Sequence, residues 1–110
     1  MLEEVVEQRR RDLARARRLD VGIAHGGPVM CGVFEGDGWG QGFGLRIDME
    51  FVVRLMKCFG VERLSDADGK PCWVTHTHSS ILLVEPLLPK EGEAFDVEAW
   101  RESKRSERHT

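Results

Sequence analysis

No apolar run in the 110-residue chain approaches the ~18 residues of a membrane-spanning helix, which argues against a membrane protein of the helical kind. Cysteine is scarce. Cys31, Cys58 and Cys72 are odd in number and form no Cys-x-x-Cys pair, which argues against a disulfide framework and for free thiols in a reducing compartment. The opening "MLEEVVEQRR" lacks the apolar core and small-residue cleavage site of a secretory signal, so a cytoplasmic location is expected. The common catalytic and phosphate motifs are missing as well. G-x-G-x-x-G fails because position 43 is Phe, no Gly-Lys-Ser/Thr follows, and neither Ser65 nor Ser79 lies in a Gly-x-Ser-x-Gly elbow. No cysteine has a neighbour that would lower its pKa, and Glu91 and Glu93 read as solvated loop carboxylates. These absences favour a non-enzymatic protein without a cofactor.

Charge is present but uneven. Residues 8–18 carry six arginines against Asp12 alone, and the stretch after Trp100 carries four Lys/Arg against two Glu. Between Leu19 and Trp100 there are 13 acidic and 6 basic residues. An acidic body with basic ends argues against a nucleic-acid partner and suits a salt-bridged surface between subunits.

The pattern predicts one α+β domain over residues 1–100, followed by a disordered polar tail at 101–110. About five antiparallel strands should pack on one central helix. Residues 2–18 are good helix formers without Gly or Pro and predict an additional N-terminal helix with a thin apolar stripe (Leu2, Val5, Val6, Leu13). Val21–Ile23 and Val29–Phe34 around "HGGP" predict a hairpin, and Gly42–Ile47 a third strand. Asp48 as N-cap, apolar residues at helical spacing and Gly60 at C′ predict a helix over Met49–Phe59. Cys72–His78 and Ile81–Val84 should be strands, and Phe95–Trp100 a terminal helical turn.

Two stretches are candidate sites. In "EGDGWGQGFG", glycine occupies every second position from Gly36 to Gly44. As a single extended stretch this would place five glycines on one face and Trp39, Gln41 and Phe43 on the other. A bare face lets another surface approach the backbone, at an entropic cost that calls for a use. For a ligand, Trp39 and Phe43 offer stacking faces, Gly40 and Gly42 exposed backbone, and Gln41 an edge-reading amide. Arg46 and Arg54 are the nearest cations for phosphate. A structural hairpin with bulges is an equal alternative. In "THTHSS", His76 and His78 share a strand face and are weak candidates for a metal.

The stretch from residue 21 to 84 resembles a family of small phage and prophage proteins. In that family a "G-x-G-Q-G-F-G-G" stretch follows a strand, and a helix and a "G-V-x-x-L-x-x-L-x-G-K" turn precede the next one. The matching residues are Gly38, Gly40, Gln41, Gly42, Phe43 and Gly44, then Gly60, Val61, Leu64, Gly69 and Lys70. Leu45 stands where a second glycine is common. The resemblance extends to the Thoeris anti-defence sponge proteins. It implies a phage counter-defence protein that sequesters a cyclic ADP-ribose-like nucleotide signal uncleaved, at an interface within a homo-oligomer. Two alternatives stand beside it. One is an acidic, anti-CRISPR-like inhibitor of a bacterial defence complex; the other is a small metal-dependent phosphoesterase built on His76 and His78.

Overall fold

The computed structural model describes the backbone of residues 8–24, 27–46, 49–78 and 80–108, with side chains at 8–20, 31–42, 50–78 and 80–105. Six antiparallel strands form one sheet in the order β3-β2-β1-β4-β5-β6. They are β1 (Arg10–Ala24), β2 (Gly27–Gly36), β3 (Trp39–Arg46), β4 (Pro71–His76), β5 (Ile81–Pro86) and β6 (Phe95–Asp96). Helix α1 (Met49–Phe59) connects the β1–β3 half to the β4–β6 half, and α2 (Val97–Arg108) ends the described chain.

The expected N-terminal helix is corrected. Residues 10–18 are strand, paired on one side with β2 and on the other with β4; residues 1–7 lie outside the described residues. Good helix formers are a weak prior, and burial overrides them. Ala14 and Ala16 sink into the core while Leu13, Arg15 and Arg17 stay exposed, so the segment alternates with the period of a strand. The price of this long strand is a bulge: its register with β2 shifts between Arg17 and Asp20, and Arg18 takes a φ of 54°. Asp68 steadies the bulge, its Oδ1 accepting from the Arg18 N–H at 2.8 Å.

The predicted bounds of α1 match those observed, while its expected N-cap Asp48 lies outside the described residues. Within the expected tail at 101–110, the described residues continue α2 as far as Arg108. Asp96 Oδ1 accepts from the Ala99 N–H at 2.9 Å and caps this helix. Trp100 then packs edge-on against Phe51 and Phe95, each pair T-shaped.

Both helices lie on one face of the sheet, against β5. The core beneath them joins Phe51, Leu55, Cys58 and Phe59 of α1 to Phe34, Ala16, Cys72, Val74, Val84 and Phe95. The opposite face is open and carries charge pairs, Arg11 with Glu85 at 3.0 Å and Arg17 with Glu35 at 4.0 Å.

Candidate functional site

The glycine stretch folds back on itself. Gly36 ends β2, Asp37 and Gly38 form the turn with Gly38 at φ 77°, and Trp39 pairs with Gly36 at the start of β3. The expected single glycine face is therefore split. Paired residues share a face, so Gly36 lies with Trp39 and Gln41 on the helix-bearing side, and Gly40 and Gly42 lie on the open side.

Trp39 uses that arrangement to cross the sheet. A Cβ on Gly36 would collide with the Trp39 indole at Nε1, lie 2.6 Å from its Cε2 and come 2.8 Å from the Leu13 carbonyl. The indole thus lies over bare backbone of β2. It reaches past β1 to stack on the His76 ring of β4, with centroids 4.0 Å apart and planes at 15°. Its Nε1 is buried without an acceptor among the described residues.

His76 is 7% exposed, and both its ring nitrogens face oxygen acceptors. Nε2 is 2.9 Å from Asp12 Oδ2, and Nδ1 is 3.3 Å from the Thr77 carbonyl. Asp12 reaches His76 because β1 pairs Arg10 with His76 and Asp12 with Val74, so Asp12 sits diagonally across on the same face. The chain then turns beyond β4. The Thr77 N–H donates to the Ser80 carbonyl at 2.9 Å, and Thr77 Oγ1 accepts from the Ser80 N–H at 3.1 Å.

These contacts wall a groove of about 410 Å³ lined by Gln8, Arg10, Trp39, Gly40, Gln41, His76, Thr77 and His78. The two candidate stretches of the sequence, distant along the chain, meet here. Arg10 has no carboxylate within ion-pair distance among the described residues.

Other expected site residues do not join them. Gly42 lies further along β3 and does not line the groove. Arg54 is on α1, held by Glu50 at 3.3 Å. The side chains of Phe43 and Arg46 lie outside the described residues. Nor do His76 and His78 make a metal pair: the nitrogens of His76 are both engaged, and no group of three or more His, Cys, Asp or Glu could hold a metal among the described residues. Two thiols are also unsuited to nucleophilic work. Burial pushes Cys58 and Cys72 up to about 12, so both stay protonated at neutral pH.

Sequence reasoning missed Gln8, Arg10, Asp12 and Thr77. The signal for Arg10 and Asp12 was their two-residue spacing, which shares a face in a strand and does not in a helix. No family model, curated protein or solved structure matches the chain.

Proposed function

We propose that this protein binds a nucleotide-like anionic small molecule in the groove and holds it without cleaving it. One observation carries the reading: Trp39, Gly40 and Gln41 converge with Gln8, Arg10 and His78 on one opening of about 410 Å³. That volume falls within the roughly 300–1,000 Å³ of small-molecule sites. The donor set suits such a ligand. Arg10 offers a fork for phosphate, and the Gln8 and Gln41 amides offer paired donors and acceptors for a base or ribose edge. Trp39 supplies a flat apolar wall. His76 is spent on Asp12 and Thr77, an arrangement that stiffens the wall and favours holding over turnover. Together with the resemblance to anti-defence sponges, this gives sequestration as the mechanism: stoichiometric capture that lowers the free concentration of a signal.

The test is native mass spectrometry of the protein with a panel of cyclic ADP-ribose isomers, ADP-ribose and cyclic dinucleotides. A mass shift is expected, with the nucleotide recovered intact after denaturation. Arg10→Ala should weaken capture by about tenfold or more, the worth of a charge-assisted hydrogen bond. No shift with any member of the panel would refute the reading, and recovery of a cleaved product would replace it with an enzymatic one.

A further inference from the structure

The outer edge of the sheet holds the answer to why glycine alternates along β3. Because Gly36 and Trp39 flank a two-residue turn, they form a hydrogen-bonded pair, and such pairs alternate along an antiparallel ladder. Trp39, Gln41, Phe43 and Leu45 therefore direct their N–H and C=O groups into β2. Gly40, Gly42 and Gly44 direct theirs outward, off the edge of the sheet. Among the described residues nothing pairs with that edge. Free edges are usually blunted by proline, charge or brevity. Here eight residues run without proline, and the seven before Arg46 carry no charge.

We propose that β3 pairs antiparallel with β3 of a second copy of this chain, about a twofold axis through Gly42. The strand matches itself in that register. Gly42 meets Gly42 and Gly40 meets Gly44, so glycine opposes glycine on the open face. Gln41 falls opposite Phe43, and Trp39 opposite Leu45. Arg46 falls opposite Gly38 at each end of the paired strands. The outward groups of the three glycines would then make about six N–H···O bonds across the axis. The other edge of the sheet, β6, has only two residues, so it cannot compete for β3 in a head-to-tail chain. The pairing is isologous and closes as a dimer. It holds whatever the groove binds, but it extends the groove wall, because Trp39, Gly40 and Gln41 form part of that edge.

Gly42→Pro is the discriminating variant. It deletes an outward N–H and leaves the β2–β3 ladder intact, the one setting in which a strand accepts proline. Gly42→Ala is the control, since among the described residues its Cβ would meet only the Gly32 carbonyl at 3.7 Å and Val33 Cγ2 at 3.9 Å. Sedimentation equilibrium should show wild type and Gly42→Ala as dimers, and Gly42→Pro dissociating at concentrations at least tenfold higher. Amide exchange on the wild type gives a second readout that needs no variant to fold. The Gly40, Gly42 and Gly44 amides should exchange as slowly as those of the β2 ladder, and faster on dilution. A monomeric wild type, a Gly42→Pro dimer as tight as wild type, or fast exchange at those three amides in the dimer would each overturn the proposal.

Discussion

Trp39 can reach His76 because Gly36 leaves it room, and the two residues stand or fall together. The indole occupies the space where a Cβ at position 36 would sit, close to the Leu13 carbonyl as well. Neither obstacle gives way cheaply: the carbonyl belongs to a central strand, and the indole is held by its stack on His76. Gly36→Ala should therefore expel the ring and cost about 1–3 kcal/mol, the usual cost of overpacking. Urea denaturation would measure the loss. The ring-current shift of the His76 ring protons would report the stack directly, and it should vanish in the variant. An unchanged shift would mean that the indole does not lie across β2.

Among the elements, α1 shows how local signals and tertiary contacts agree. Its end is a Schellman motif: the Gly60 N–H donates to the Lys57 carbonyl at 3.2 Å and the Val61 N–H to the Met56 carbonyl at 3.1 Å. Gly60 has a φ of 66°, and a Cβ there would collide with the Glu91 carbonyl. Gly60→Ala should cost about 2 kcal/mol or more, combining left-handed strain with the backbone clash. A melting temperature within error of wild type would contradict this. Such a helix is legible in sequence because its cap, stripe and stop signal all coincide. The first half of β1 was not legible, because Arg, Ala and Leu favour helix when read locally, although its end at Val21–Ile23 was read as a strand. Only its partners on both sides convert the alternation of Asp12, Ala14 and Ala16 into a buried strand face. α2 was hidden for the opposite reason. Its polar composition reads as tail, and the anchor that orders it, Trp100 against Phe51 and Phe95, is a tertiary contact. The groove inherits both difficulties. Trp39, Gln41, His76 and His78 could be singled out by their local patterns, whereas Arg10 and Asp12 needed the correct assignment of β1.

On the scale of the whole molecule, the sheet separates two chemistries. Arginines that look like a basic patch in sequence are dispersed: Arg11 and Arg17 pair with Glu85 and Glu35 on the open face, Arg9 pairs with Glu98 of α2, and Arg10 lines the groove. Exposed pairs of this kind contribute little, about 0–1 kcal/mol each, so stability rests on the helix-covered side. That side contains Cys58 and Cys72, both fully buried, with Cys58 Sγ donating to the Val84 carbonyl at 3.4 Å. Desolvation raises both thiols from 9.0 to about 12 in the folded chain, while the unfolded chain ionises them near the ordinary value. Above pH ~9 the native state binds more protons than the unfolded state, so stability must fall as pH rises. Each thiol removes about 1.4 kcal/mol per pH unit until its folded pKa is reached. Lysine ionisation affects the same range, so the test is a difference. Urea unfolding of wild type and Cys72→Ala across pH 8 to 11 should give parallel curves below pH ~9. Above it the variant should decline less steeply, by about 1.4 kcal/mol per unit. Equal slopes throughout would show that water reaches Cys72 in the folded protein, and the close packing of β4 beneath α1 would have to be abandoned.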